Sequence, residues 1–411
     1  MSTRETSGTT GALGASNTQT MMDVRPGAHR YVRFNGAAKK VGEYVAQDYR
    51  KPVVITGERS WEAFEKAGGI VGSDVPVLRY DGSVTFRNMD ELTEKVLDEE
   101  ADVIVAVGGG RLCDTAKGVH HNTNLPLITV PTIAATCAAS SSVIIVYDEN
   151  GKRIAGIPLR HGAELVIADP LIIAAAPERY LVGGIGDTLA KWYEAEGIQR
   201  HLTNPEPADT LGLMAAKVTR DYLVREGDEA IESVRRGVSD EVLGHMVDVI
   251  VHVASCVGGF AGKNGRVSGA HAVHNGLTAC PETQVSTHGQ KVAYGILVQL
   301  AAQSEWAEFD RLVPTYRKIG LPCTFAEVGA EPTPQNLAKV AEVAGGSESF
   351  FRQAVPDIDE ARVIDCIKRV DARAAAIDEK LAEISNGVPL ESEPADTATD
   401  VTAGLAQGLA Q

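Results

Sequence analysis

The sequence predicts an α/β fold in which a helix-covered parallel β-sheet precedes an all-helical C-terminal domain. Three observations predict it. A chain of 411 residues exceeds the size at which one core usually stops growing, so two domains are expected. From Pro52 onward, short β-branched runs alternate with amphipathic stretches, the pattern of strands wound into a parallel sheet. After Ala168-Asp169-Pro170 the strand signal stops and helical periodicity takes over.

Residues 1–24 are rich in Ser, Thr and Gly without an apolar stretch, so they are expected to form a disordered tail, with Met21 or Met22 as a candidate start. The sheet domain is expected over 25–178, with strands at 53–56, 75–79, 103–107 and 127–130 and helices beginning near Ser60, Met89 and Arg111. A further strand, 143–147, leads into the turn Asp148-Glu149-Asn150-Gly151. The helical domain is expected over 179–385, with helices at 185–200, 207–224, 240–262, 286–304, 334–344 and 359–384. Residues 386–411 are poor in large apolar side chains and are expected to be a second disordered tail.

With 39 basic and 55 acidic side chains the chain carries a net charge of -16. That charge argues against nucleic acid or an anionic membrane as a partner. Six cysteines are scattered without a C-x-x-C pair, as reduced thiols are, so a cytoplasmic protein is expected. No unbroken apolar run approaches the roughly 20 residues that span a bilayer.

Candidate chemistry begins at the third strand, which ends in Gly108-Gly109-Gly110 and opens at once into a helix through Arg111 and Asp114. Glycines at such a junction let phosphate oxygens reach the free N–H groups of the helix start. A plain structural turn fits the same triplet. Glu58, after the first strand, can accept hydrogen bonds from ribose hydroxyls, which favours NAD over NADP; the adjacent Arg59 suits a 2'-phosphate instead. The run from Pro131 to Ser142 is small and hydroxyl-rich and follows a sheet strand, where open α/β sheets bind ligands; a tight loop is the other reading.

Downstream, Asp187, His271 and His288 supply one carboxylate and two imidazoles, a set that would hold a metal with one coordination position open. Spacing alone does not bring them together, and each also reads as a cap or a surface group. His274 shares a helix face with His271, as a fourth ligand, a proton shuttle or a packed side chain. Lys191 follows Asp187 by one turn, and a protonated lysine cannot ligate a cation.

On Val107-Gly108-Gly109-Gly110 with Asp114-Thr115-Ala116-Lys117, Val130-Pro131-Thr132-Ile133-Ala134, Gly184-Ile185-Gly186-Asp187-Thr188-Leu189-Ala190 and His271-Ala272-Val273-His274-Asn275-Gly276, the chain resembles the iron-containing alcohol dehydrogenase superfamily, within it the glycerol dehydrogenase group. The resemblance covers roughly 53–378. It implies a Rossmann-like N-terminal domain, a helical C-terminal domain in the dehydroquinate synthase-like arrangement, and an active site in the cleft between them. Asp187, His271 and His288 match the metal ligands. Iron-dependent members carry a further histidine where this chain has Lys191, so zinc is expected rather than iron. The cofactor positions carried over are Glu58, Gly109, Gly110, Arg111, Asp114, Thr132, Ser141, Val143 and Tyr147, with Ala135 replacing a serine and Arg111 a lysine or serine.

A larger departure is Cys137, which stands where glycerol dehydrogenases place an aspartate against the substrate hydroxyls. Together with Lys291-Val292-Ala293-Tyr294-Gly295, this makes the chain most similar to the hydroxycarboxylate dehydrogenase branch. The resemblance implies an NAD(P)-linked, metal-assisted hydride transfer between a 2-oxo acid and a 2-hydroxy acid, in a homo-oligomer. Cys137, Lys191 and His274 are the catalytic candidates, Lys191 facing a substrate carboxylate and His274 relaying a proton. A polyol dehydrogenase is the alternative, and a sugar-phosphate cyclase of the dehydroquinate synthase type a remote one.

Overall fold

The computed structural model describes residues 23–385. The two expected tails, 1–24 and 386–411, lie outside the described residues except for Asp23 and Val24. Six parallel strands form one sheet: β1 (Arg30–Arg33), β2 (Pro52–Thr56), β3 (Val77–Arg79), β4 (Val103–Gly108), β5 (Leu127–Pro131) and, from further along, Leu165–Ala168. Between the last two, β6 (Val143–Tyr147) and β7 (Arg153–Pro158) make a separate antiparallel hairpin, so Leu165–Ala168 is β8. The sheet order is β1-β8-β5-β4-β2-β3.

Helices cover both faces, which is why the central strands are continuous apolar runs. Val54, Val103, Val105, Val107, Ile128 and Ile167 point to one side, against Val41 and Val45 of α1 (Val41–Asp48) and Phe64 of α2 (Glu58–Lys66). Their alternates Val53, Ile55, Ile104, Ala106 and Val166 meet Leu92 and Val96 of α3 (Phe86–Asp98) and Leu112, Ala116 and Val119 of α4 (Gly110–Thr123). This second face is continuous with the core of the helical part, so sheet and helices share one buried apolar mass.

The helical part begins after β8 with the short α5 (Pro170–Ala174), capped by Asp169, followed by α6 (Arg179–Gln199) and α7 (Pro207–Arg235). Next come α8 (Glu241–Val247), a π-helical turn (Asp248–Val253) and α9 (Ala254–Ala261) in one continuous run, then α10 (Gly269–Leu277), α11 (His288–Ala302), α12 (Trp306–Ile319), α13 (Pro334–Ala344) and α14 (Glu360–Ser385). Hydrogen bonds from Tyr31 Oη and Arg33 Nε, each 2.8 Å, both end on Asp248 at the π-helical turn. They tie the sheet edge to the helices.

Four differences from the sequence expectation have physical reasons. β1, with arginine at both ends, has no alternating pattern, and β8 is only four residues long. β6 leaves the parallel sheet because the tight turn after it returns the chain at once, with Gly151 at φ 79°. α6 starts at Arg179 rather than near Ile185, running straight through Gly183, Gly184 and Gly186. Finally, the stretch 241–265 is long and apolar enough to cross a membrane by length and composition alone. Its Leu243, Met246, Val247, Ile250, Val251 and Val257 are all in the core, which accounts for its apolar character.

Candidate active site

The cofactor candidates gather at the carboxyl ends of the strands. Thr56 of β2 pairs with Val107 of β4, so Gly57-Glu58 and Gly109-Gly110 leave the sheet at the same edge. Glu58 is exposed at the first position of α2, and Arg111 is exposed in the first turn of α4, whose N-cap Gly109 has no side chain to occupy the free N–H groups. The loop 132–142 folds back over this turn. Thr132 is buried and its N–H bonds Gly108 at 3.1 Å, while a methyl group on Gly110 would stand 2.8 Å from Thr136 Oγ1.

Asp114 points elsewhere than expected. Its carboxylate pairs with fully buried Lys117 at 2.6 Å, and Lys117 Nζ also donates to the carbonyls of Ser141 (3.2 Å) and Val143 (2.5 Å) and to Ser141 Oγ (3.3 Å). Asp114 and Lys117 thus pin the far end of the loop and the start of β6. Tyr147, half-buried at the end of β6, lies in the small apolar cluster with Val84 and Met89. The carbonyl of Cys137 accepts hydrogen bonds from Ser140 and Ser141 at 3.0 and 2.9 Å, turning the chain around the half-buried thiol.

On its other side the loop rests on α6. A Cβ on Gly184 would collide with the Ala134 carbonyl oxygen, and one on Gly289 with that of Gly183. These close backbone approaches are why the helix keeps glycines despite their helix cost of ~1 kcal/mol each. One turn beyond Gly184 stands Asp187, and Gly289 follows His288.

Here the structure brings Asp187, His271 and His288 together. One ligand atom from each lies within 4.8 Å of the others. Asp187 Oδ1 is 3.1 Å from His288 Nε2 and 3.4 Å from His271 Nε2. Asp187 is buried two turns into α6, His271 is half-buried on α10, and His288, the first residue of α11, is the most exposed of the three. Burial alone would raise the Asp187 carboxyl, but hydrogen bonds from His271 and His288 and the charges of His288 and Lys191 hold it well below the usual carboxylate range.

His274 does not point at the open side of this cluster. Its Nε2 lies 2.9 Å from His288 Nδ1 and its Nδ1 3.1 Å from Asn275 Oδ1, so it buttresses the back of His288. Burial, reinforced by the neighbouring His288, His271 and Lys291, holds it well below the usual histidine range and keeps it neutral. Lys191 makes no hydrogen bond or ion pair with any described residue. Burial would lower its ammonium, yet Cys137, Asp187 and Glu194 raise it above the ordinary lysine value, so it stays charged. Lys191 and Asp187 both act electrostatically on Cys137, whose thiol burial pushes up.

Sequence reasoning missed Glu194. Fully buried on α6, it accepts from His271 Nδ1 at 2.8 Å with one oxygen, and from the N–H groups of Ser268 (2.6 Å) and His271 (2.9 Å) with the other. A carboxylate behind an imidazole is what orients a ligating histidine. The signal was present as spacing, because Asp187, Lys191 and Glu194 are i, i+4 and i+7 on one helix face. Burial would lower His271, but Glu194 and Asp187 push it up to about 9. A histidine between two carboxylates, beside a second histidine, is a donor set suited to a divalent cation such as zinc or iron.

Comparison with known proteins agrees with this architecture. The iron-containing alcohol dehydrogenase family model matches residues 28–170. Hydroxycarboxylate dehydrogenase A of Escherichia coli (strain K12) is 38% identical over 304 residues, 73% of this chain and 83% of that protein. Glycerol dehydrogenase of Pseudomonas putida is 32% identical over 324 residues, 77% of this chain and 88% of the other. Among solved structures, glycerol dehydrogenase from Schizosaccharomyces pombe superposes with a TM-score of 0.79 at 29% identity, covering 88% of this chain and 94% of that one. The chain therefore belongs to the iron-containing alcohol dehydrogenase family, among its glycerol dehydrogenase and hydroxycarboxylate dehydrogenase relatives, and is an oxidoreductase of the alcohol dehydrogenase class.

Proposed function

We infer that the enzyme interconverts a 2-oxo acid and a 2-hydroxy acid, with NAD as the hydride carrier and a divalent metal, zinc rather than iron, held by Asp187, His271 and His288. The observation that carries this reading is a half-buried thiol at Cys137, where a carboxylate would otherwise stand, beside a Lys191 that Cys137, Asp187 and Glu194 keep charged next to the ligand cluster. A carboxylate at 137 would repel an anionic substrate and bind polyol hydroxyls; a thiol does neither. Lys191 stays protonated where iron-dependent relatives place a fourth ligand, which favours a three-ligand zinc site.

Bound there, the ion supplies Lewis-acid polarisation of the substrate oxygen and the nicotinamide supplies or accepts the hydride. The chain supplies position and charge. Glu194 and His274 hold the two imidazoles, and the α4 N-terminus with Gly109, Gly110 and Arg111 receives the cofactor phosphates. Glu58 accepts from the ribose hydroxyls and disfavours a 2'-phosphate. The wall formed by Thr132, Ser141 and Val143 positions the nicotinamide end, and Lys191 meets the substrate carboxylate.

A polyol substrate is the second reading, favoured by relatives named glycerol dehydrogenase. The test is oxidation of NADH and NADPH by the zinc-loaded protein with 2-oxobutyrate, 2-oxoglutarate, oxaloacetate and dihydroxyacetone in parallel. The expected result is NADH oxidation with an oxo acid preferred. Preference for dihydroxyacetone makes the enzyme a polyol dehydrogenase, and substrate turnover without net NADH consumption points to cyclase chemistry.

A further inference from the structure

The two imidazoles of the ligand cluster are held from behind in different ways. His271 Nδ1 lies 2.8 Å from Glu194 Oε2, and a carboxylate only accepts, so this nitrogen carries the proton and the lone pair of the neutral ring sits on Nε2, facing Asp187. His288 has no carboxylate behind it. Its Nδ1 is 2.9 Å from His274 Nε2, and His274 Nδ1 is 3.1 Å from Asn275 Oδ1. Between two imidazole nitrogens one donates and the other accepts, and a neutral ring carries a single N–H. The direction of the bond at Asn275 therefore sets the direction of every bond up to His288.

Two directions exist. With the Asn275 carbonyl turned inward, His274 Nδ1–H donates to it, His274 Nε2 accepts from His288 Nδ1–H, and His288 Nε2 is left with a lone pair beside Asp187. With the Asn275 NH2 turned inward, every bond reverses, and His288 Nε2–H donates across the 3.1 Å to Asp187 Oδ1. Only the first direction lets Asp187, His271 and His288 hold a cation together. The two arrangements contain the same number of protons, so none is taken up or released. Asn275 has what the reversal needs: one amide with a donor end and an acceptor end. It is half-buried on α10, its NH2 makes no hydrogen bond with any described residue, and it borders an open surface groove with Ala272, Glu342, Val343 and Ser347, where the amide has room to turn.

We propose that Asn275 is a positioning residue for the metal, setting the tautomer of His288 through His274: its carbonyl faces His274 when an ion is held, and its amide turns over when the site is free. The proposal rests on the metal reading above and adds to it the residue that decides whether His288 presents a lone pair.

The test compares wild type, Asn275→Asp and Asn275→Leu as the full chain. Two quantities are read: zinc affinity by competition with a chelator, and the tautomers of His274 and His288 by NMR of protein labelled with nitrogen-15 histidine, without and with zinc. In the wild type both rings are expected to change from the Nε2–H to the Nδ1–H form on loading. An aspartate carboxylate only accepts, so Asn275→Asp is expected to hold both rings as Nδ1–H throughout and to keep or exceed wild-type affinity. Leucine offers no acceptor and leaves His274 Nδ1–H unpaired in the loaded site, so Asn275→Leu is expected to weaken zinc roughly 10- to 100-fold. If the leucine variant does not fold, the wild-type and aspartate spectra carry the test. Wild-type rings whose tautomers stay the same on loading, wild-type zinc affinity in Asn275→Leu, or an equal loss in both variants overturns the role of Asn275 while leaving the metal site standing. A wild type that binds no zinc at these histidines overturns the metal reading itself.

Discussion

Glu194 stands behind the candidate metal site rather than among its three ligands, and it still fixes one of them. It uses one oxygen to fix the His271 ring and the other to collect two backbone N–H groups, so its removal frees three donors in a dry interior. Glu194→Gln keeps an acceptor but loses the charge that favours a strongly donating imidazole. We predict that zinc affinity falls roughly 10- to 100-fold, measured by competition with a chelator, while the far-ultraviolet circular dichroism is preserved. Unaltered affinity would confine Glu194 to backbone anchoring. On the proposed reading Cys137 and Lys191 act differently, setting the sign of the field that a substrate meets rather than the geometry of the ligands.

α6 carries Asp187, Lys191 and Glu194, and its glycines set how near the loop 132–142 can come. Gly184→Ala would gain up to ~1 kcal/mol of helix propensity but drive a methyl group into the Ala134 carbonyl, an overpacking cost at the upper end of ~1–3 kcal/mol because backbone must move. The prediction is a net loss of about 2 kcal/mol in denaturant unfolding, together with weaker NADH binding as the loop 132–142 shifts. A gain in stability would mean that this contact yields easily. At the other end of the helical part, Asp371 fastens α14, accepting from Tyr294 Oη (2.9 Å) on α11 and from the Phe325 N–H (3.0 Å). Burial outweighs these bonds and pushes the Asp371 carboxyl above its ordinary 3.8 to about 6. A raised carboxyl favours the protonated fold, so the stability it contributes is complete below about pH 4 and is lost as pH rises through 6. Asp371→Asn is predicted to flatten that part of the stability profile between pH 4 and 6.5, read by urea unfolding; an unchanged slope would place the titration on other groups.

For the whole molecule, legibility followed the range over which each signal acts. The sheet strands of continuous Val and Ile and the long periodic helices announce themselves locally, and so does the glycine turn before α4. β1 does not: its Tyr31 and Arg33 are satisfied by Asp248, more than 200 residues away. α6 was read too short because glycines that lower helix propensity were there for packing. The three candidate ligands could be named from their residue types, but their convergence was expected only through the family resemblance, since 84 residues separate Asp187 from His271 and 17 separate His271 from His288. No local period links them; the packing of α6, α10 and α11 does. The central claim is that a thiol among cations, in place of a carboxylate, turns this scaffold toward oxo acids. The measurement that tests it most directly is the ratio of kcat/KM for 2-oxobutyrate to that for dihydroxyacetone, with NADH, in the zinc-loaded wild type and in Cys137→Asp. A wild-type ratio well above one that falls by roughly 30-fold or more on introducing the carboxylate is the predicted result. A ratio below one in the wild type, or one that Cys137→Asp leaves unmoved, would contradict it.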